Sequence, residues 1–548
     1  MRGWIYGIRR SFRSGTSHEV ATMLKRLVFN TGSNLSVMAT VIVITFVLTP
    51  VLVSSLGNYD YGLWTMLAAL MGYAGILDLG LRPTISRFVS RYHAQDDVAA
   101  LGRLFSTAFT FLMLTGAIAG VAFASWGLLM PQTVAPLGAP EERYTLVLVI
   151  LGAHLLAAFP GYVAEGVLEG LQRYYLKNAV SIVKMAISAV IILSFITPEN
   201  ALVLLASVTT AGKWVRNAVL FVIVARVGRG RFKLYRGNFS VSHLAELLRF
   251  GVKSFIQGIS TRIETATDSL VIGFMLGPAT VPFYSIPAAL IQYVRTIALH
   301  TTHAFMPLFS DLNARGQQVR IQRIYLMASK LIVGFVLPLA AGAVLLGPPF
   351  LTVWVGPEIG EQSQTIVLLL ALFLALPFLN PLCSRYLTAI DRHEIFARLQ
   401  PISAALNLAL SIAFVPWMGI VGAALASVLV VSAYFPIILV YTMRQLGVTV
   451  ATYMLHAIAP AILPTALMAA AVGLYRAELA LTGYPGILGG GILGAAVYLT
   501  CFWTLTLSPS ERSLLRDLLL RPSGQGPNAA AATTRKGFDK ASGHDANV

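Results

Sequence analysis

Long apolar runs, each about the length of a membrane crossing, alternate with short polar stretches along nearly the whole sequence. A transmembrane helix takes roughly 20 residues. On that measure helices are predicted at residues 28–53, 61–81, 104–127, 145–169, 178–196, 201–225, 251–276, 281–309, 326–347, 365–388, 396–415, 419–443, 453–475 and 485–507. The pattern predicts an all-α polytopic membrane protein with about 14 transmembrane helices. Short connections leave no room for a soluble catalytic domain.

The polar stretches carry a second pattern. Basic residues gather in every second connection: Arg82, Arg87, Arg91 and Arg103, then Arg173 and Lys177, then Arg315, Arg320 and Arg323, then Arg385 and Arg392. The other connections, at 54–60, 141–142, 198–199, 277–282 and 358–361, are neutral or acidic. Cytoplasmic loops of membrane proteins carry the excess of Lys and Arg, so both termini are expected in the cytoplasm. The N-terminal Arg2, Arg9, Arg10, Arg13, Lys25 and Arg26 precede an apolar run longer than the core of a cleaved signal. Residues 28–53 are therefore expected to persist as the first helix.

Composition agrees with this reading. The 548 residues are 56% hydrophobic and only 11% charged, against about 25% charged in soluble domains. The net charge of +17 would indicate nucleic acid in a soluble protein. Here the basic loops account for it, and no nucleic-acid partner is expected. Cys383 and Cys501 sit in apolar segments, and no disulfide framework or metal-ligand spacing is present. No cofactor, metal or catalytic residue is expected; membrane lipids are the expected surroundings.

An internal echo divides the chain. Leu56-Gly57 recurs as Leu276-Gly277, an offset of 220 residues. At that offset Ala68-Ala69-Leu70 matches Ala288-Ala289-Leu290, and Tyr73, Leu79 and Ser90 match Tyr293, Leu299 and Ser310. The longest basic stretch lies between the halves, with Arg229, Arg231, Lys233 and Arg236. The expected organisation is a basic cytoplasmic segment at 1–27, an N-terminal lobe at 28–226, a linker at 227–249 and a C-terminal lobe at 250–444. Two further helices follow at 445–507, then a largely disordered cytoplasmic tail at 508–548, whose first residues to Leu520 can form a short interfacial helix. Parallel repeats of this kind bind substrate between their halves, near the midplane.

Several blocks resemble a known family. Tyr61-Gly62-Leu63-Trp64, the run from Tyr73 through Asp78-Leu79-Gly80-Leu81, and Ile85-Ser86-Arg87-Phe88-Val89-Ser90 are similar to the second-helix region of Wzx-type polysaccharide flippases. These belong to the multidrug/oligosaccharidyl-lipid/polysaccharide exporter superfamily. Phe250-Gly251-Val252-Lys253, the run from Asp268 to Gly277, and Tyr284-Ser285-Ile286-Pro287 resemble the opening of the second half. The resemblance implies two pseudo-symmetric six-helix lobes plus two C-terminal helices. It also implies alternating access about a cationic cavity, moving an undecaprenyl-diphosphate-linked oligosaccharide to the periplasmic leaflet of the bacterial inner membrane. O-antigen, capsule or exopolysaccharide assembly would be served, with a polysaccharide polymerase or export complex as partner.

Charges at bilayer depth are the candidate chemistry, because each costs roughly 2.5–3.5 kcal/mol at a helix centre. Lys213 and Arg216, three apart, share a helix face, too deep to snorkel easily. Either they bind a diphosphate or acidic sugar, or they form a packing salt bridge with Glu264 or Asp268. Arg262, Glu264 and Asp268 follow on one helix; at about 100° per residue Arg262 lies roughly 200° from Glu264. Arg262 and Arg295 are candidate substrate contacts, the latter able to bind phosphate as a bidentate fork. Lys253, one turn into its segment, either meets the diphosphate at the inner entrance or snorkels. Glu264 and Asp268 are candidates for coupling to an ion gradient. Asp78 and Arg82 have ion-pair spacing and are candidates for a gate or a packing bridge. Glu165 and Glu169 share a face and are expected to pair with Arg173, Lys177 or Lys184.

The deep cations Lys213, Arg216, Arg262 and Arg295 outnumber the acids Glu264 and Asp268, which favours an anionic cargo. A peptidoglycan-precursor flippase shares this physics. A multidrug exporter of the same superfamily would be expected to bury a surplus of acids. A membrane-embedded polymerase would need a large extramembrane loop bearing acidic or His residues.

Overall fold

A computed structural model of the chain describes residues 17–228, 230–232, 239–478 and 483–520. The expected basic segment up to residue 16, the linker residues Arg229, Lys233 and Arg236, and the tail beyond residue 520 lie outside the described residues. Each of the fourteen predicted segments is largely helical, and the described residues contain no strand. Eleven helices among the described residues are long and apolar enough to cross a membrane. The protein is an all-helical, multi-pass membrane protein.

The elements are α1 (Ser17–Ala74), α2 (Leu81–Ala94), α3 (Val98–Leu129), α4 (Glu141–Gly170), α5 (Tyr174–Phe195), α6 (Ala201–Val227), α7 (Val241–Leu276), α8 (Val281–Thr302) and α9 (Phe305–Ala314). They continue as α10 (Gln318–Val355), α11 (Pro357–Phe378), α12 (Cys383–Ala389), α13 (Glu394–Met418) and α14 (Ile420–Leu446). The last are α15 (Val450–Glu478), α16 (Gly483–Thr506) and α17 (Pro509–Leu520).

Three predicted helices differ in extent: the second, the eighth, and the tenth, which divides into α11 and α12 across residues 379–382. The first two predicted helices are the two limbs of α1, separated at Gly57, where φ 68° and ψ 176° leave helical space inside the connection expected at 54–60. The second limb stops at Ala74, because a 3-10 turn (Gly75–Asp78) leads into Leu79 and Gly80, both left-handed at φ 52° and 74°. The eighth predicted helix divides into α8 and α9 just before Pro307, which has no N–H to offer the His303 carbonyl. The echoed Leu-Gly pairs mark real breaks. Gly277, like Gly57, has a left-handed φ, 92° against 68°.

Contacts among Cα atoms group the chain into two compact units. The first contains the described residues of Met1–Ile286 with Trp354–Ile359 and Phe396–Val430. Its core runs through α4: Phe159, Val163 and Val167 pack with Ile85 and Phe88 of α2 and with Leu104, Phe105 and Leu112 of α3. Small residues let backbones touch, as in membrane helix packing generally. A Cβ on Gly120 of α3 would stand 2.6 Å from the Gly152 carbonyl oxygen of α4. Elsewhere the unit shows apolar stripes, such as exposed Val183, Ile187 and Val190 on α5 and Val215, Val219 and Val222 on α6. In a membrane such faces meet lipid.

The second unit contains Pro287–Val353, Gly360–Ile395 and the described residues of Val431–Val548. Buried Phe309, Tyr325, Tyr386 and Tyr453 form an aromatic centre with ring centroids 5.6–6.1 Å apart. Each phenol finds an acceptor, as buried tyrosines require: Tyr325 donates to Asn380 Oδ1 (2.5 Å), Tyr386 to the Gln445 carbonyl (3.0 Å) and Tyr453 to the Leu379 carbonyl (2.8 Å). Helix α17 is anchored by a reciprocal cap. The Ser508 N–H donates to Glu511 Oε2 (2.8 Å), and the Glu511 N–H donates to Ser508 Oγ (3.3 Å). Lys330 Nζ adds a 2.9 Å ion pair to the same carboxylate.

Partial burial raises the Glu511 pKa, but the Lys330 ammonium and the Ser508 N–H more than offset it and hold the carboxyl below its ordinary 4.5. A lowered native pKa means the stabilisation is complete above the ordinary range and fades as pH falls through the lower native value. Limited proteolysis of the C-terminal region should therefore be constant from neutrality to about pH 5 and rise below about pH 4. Glu511→Gln should cleave readily at every pH; an unchanged profile in that variant would disprove the anchor.

Candidate functional site

Helix α4 carries His154, Tyr162, Glu165 and Glu169 at spacings of eight, three and four residues, one polar stripe in an otherwise apolar helix. Close approach of its neighbours brings charges onto that stripe. Gly161 has no side chain, so Asn217 of α6 occupies the space, its Nδ2 2.3 Å from where a Cβ would sit. The Asn217 amide donates to the Ala157 carbonyl at 2.7 Å, fixing α6 on α4. Arg216, one residue earlier, then reaches Glu165 Oε1 at 2.7 Å and donates through Nε to Ser181 Oγ at 3.1 Å. From α2, Arg82 Nη2 lies 2.9 Å from both Glu165 Oε2 and Glu169 Oε1. Lys177 of α5 completes the chain at 2.7 Å from Glu169.

Two expectations are corrected here. The acid beside Arg216 is Glu165, not Glu264 or Asp268, because α4 and not α7 lies against that face of α6. Asp78 and Arg82 do not pair: left-handed Leu79 and Gly80 intervene, so the two residues do not share one helix. Instead Asp78 Oδ1 accepts the Gly80 N–H at 2.8 Å and closes the turn. That turn is tightly seated, since a Cβ on Gly80 would come within 2.4 Å of the Gly251 carbonyl oxygen on α7. Of the expected partners for Glu169, Lys177 is the one that binds it.

The paired charges leave a remainder. Lys213 Nζ sits 5.5 Å from the Tyr162 ring centroid, and among the described residues it has no ion pair or hydrogen bond. Arg262 lies across Gly72 of α1, its Nη1 3.1 Å from where a Cβ there would be, and it too has no such partner among the described residues. Both lie within electrostatic reach of the Tyr162–Glu165 stretch of α4. Lys184 crosses Gly212, next to Lys213, its Cε 2.7 Å from a Cβ position there. The cluster thus holds Arg82, Lys177, Lys184, Lys213, Arg216 and Arg262 against Asp78, Glu165 and Glu169. Excess positive charge in low dielectric is a standing attraction for an anion.

Asp268 of α7 is built differently. It is buried and accepts only hydroxyls: Tyr284 at 2.5 Å, Ser411 of α13 at 3.1 Å and Ser427 of α14 at 3.2 Å. No cation pairs with it among the described residues. Asn407 donates to Ser427 at 2.9 Å and backs the cage, and its own Oδ1 is buried without a partner. Next to Asp268, Thr267 shares a hydrogen bond with Tyr73 of α1. Glu264 is half-buried one turn away.

Arg295 belongs to the second unit, its guanidinium 5.9 Å from the Phe373 ring centroid. In the same unit Arg385 Nη2 lies 3.3 Å from His303 Nε2. Lys253 is on α7, but its side chain lies outside the described residues. Tyr162, Ser181 and the cage residues Ser411 and Ser427 were not anticipated. The 162-165-169 spacing was a usable signal for the first; nothing local marks the serines.

The sequence matches the polysaccharide biosynthesis protein family over residues 27–313, more than half of the chain. The chain belongs to that family. Its relatives include a Shigella flexneri protein named as an O-antigen transporter, 22% identical over 377 residues that cover 68% of this chain and 88% of that protein. A Haloferax volcanii protein named as the flippase AglR is 22% identical over 390 residues, covering 70% of this chain and 76% of its own. Among solved structures, the lipid II flippase MurJ in an inward closed conformation superposes with a TM-score of 0.67 at 15% identity, covering 90% of this chain and all of that one. An inward-facing multidrug resistance MATE family transporter gives 0.59 at 16% identity, covering 73% and 93%. This family member therefore shares the fold of those transporters.

Proposed function

We propose that this protein flips an undecaprenyl-diphosphate-linked oligosaccharide from the cytoplasmic to the periplasmic leaflet of a bacterial inner membrane. O-antigen, capsule or exopolysaccharide assembly would use the product. The observation that carries the reading is the pair of deep cations without ion-pair partners among the described residues, Lys213 over the Tyr162 ring and Arg262 across Gly72. A diphosphate supplies the missing negative charge, and the family membership and the names of the relatives support a glycan-lipid cargo. Arg216 and Arg82, tied to Glu165, hold the cationic face in position, with Lys253 a further proposed contact; Arg295 is a proposed cargo contact within the second unit. Alternating access and two cytoplasmic termini complete the reading, supported by the fold likeness and the basic loops.

Asp268 is the proposed coupling group. A carboxylate met only by hydroxyls can exchange a proton without breaking a salt bridge, and intramembrane acids of this kind serve as relays. Arg82, bridging α2 and α4, is the proposed gate tie.

In a strain lacking the gene, Lys213→Ala with Arg262→Ala should reach the membrane at wild-type level yet leave lipid-linked oligosaccharide unexported, with surface glycan reduced at least about tenfold. Full complementation by that double variant would overturn the proposal.

A further inference from the structure

Outside that cluster, the first unit holds a second cationic recess. Arg87 and Arg91, four apart on one face of α2, and Arg249 of α7 line a cavity of about 400 Å3 together with Phe88, Phe250 and Glu246. Arg87 stacks over the Phe250 ring at 4.1 Å, and Arg91 lies 5.9 Å from the Tyr92 ring centroid. Phe88 meets Phe250 edge-on at 6.1 Å and is buried, so the aromatic floor is fixed. Stacking of this kind orients a guanidinium plane while leaving its N–H edges uncommitted.

Among the described residues, none of the three arginine side chains has an ion pair or a hydrogen bond. The one carboxylate at the recess, Glu246, lies 3.4 Å from His243 Nδ1. Three like charges around one opening repel each other unless an anion joins them. A carboxylate offers one bidentate edge, whereas a phosphate group presents non-bridging oxygens from a tetrahedral centre to several forks at once, two in a phosphodiester headgroup and three on each phosphorus of a free diphosphate.

We propose that the recess between α2 and the first turns of α7 binds a phosphate group at the membrane surface. The ligand is either the headgroup of an anionic lipid or a free diphosphate. This goes beyond the transport reading and is measured without transport, so either can fail alone.

The test uses the full chain in phosphatidylcholine nanodiscs, in a Lys213→Ala/Arg262→Ala background that removes the two cations carrying the proposed transport site. Inorganic pyrophosphate is titrated by calorimetry, and discs containing phosphatidylglycerol are examined for retained lipid by native mass spectrometry. The recess should bind at least one probe saturably. Arg87→Gln with Arg249→Gln should weaken it about tenfold or more, as loss of charge-assisted bonds implies. Glu246→Gln, which removes the local negative charge, should tighten it severalfold and serves should the arginine variant fold poorly. Competition by phosphatidylglycerol assigns a headgroup; pyrophosphate binding indifferent to that lipid assigns the free diphosphate. No saturable binding of either probe, or affinities unchanged in both variants, overturns the proposal.

Discussion

Changing Glu165 to glutamine will lower stability by about 3–5 kcal/mol, the usual cost of removing one partner from a buried ion pair. Glu165 is 6% exposed and receives Arg216 at 2.7 Å and Arg82 at 2.9 Å. Without its charge, two guanidiniums face each other across α4 with Lys213 close by. Glu169→Gln should cost less: that side chain is 14% exposed, and its partner Arg82, 38% exposed, can turn toward solvent. Thermal unfolding in detergent measures both. Adding Arg216→Met to Glu165→Gln should recover part of the loss, because a cavity without either charge is cheaper than one with an orphan. Equal melting of Glu165→Gln and the wild type would remove Glu165 from the centre of the network.

Asp268→Asn should leave folding largely intact and suppress export. The amide keeps the shape and one acceptor for Tyr284, Ser411 and Ser427, so the cage loses little packing. It cannot take up and release a proton. Coupling energies of about 1–3 kcal/mol correspond to roughly 5–150-fold, and an export defect in that range is expected at wild-type protein level. The readout is accumulated lipid-linked oligosaccharide alongside the melting temperature. An Asn variant that exports normally would leave Asp268 with a packing role alone.

The helices were legible in the sequence because apolar length is a direct consequence of bilayer thickness. Some of their breaks were too: the connection expected at 54–60 holds the Gly57 break. The Leu79-Gly80 break was not, because it acts through backbone conformation, which hydrophobic patterning does not register. The site was half legible. Lys213 and Arg216 stood out as charges that hydrocarbon does not tolerate, and their surroundings do concentrate positive charge. Their acid did not stand out, since Arg216 and Glu165 are 51 residues apart and meet only because Gly161 admits Asn217. The Asp78–Arg82 spacing misled for the converse reason: four residues apart is adjacency only if the helix is continuous.

The cage around Asp268 also constrains how the chain is made. Tyr284 follows sixteen residues later, but Ser411 and Ser427 follow 143 and 159 residues later. At ribosomal speeds of about 5–20 residues per second, α7 is synthesised many seconds before those two donors exist. During that interval the acid has to travel neutral or stay hydrated, since a bare carboxylate in hydrocarbon is prohibitively costly. Final locking of α7 against α13 and α14 is thus a late event in biogenesis, and the segment stays answerable to quality control until it happens.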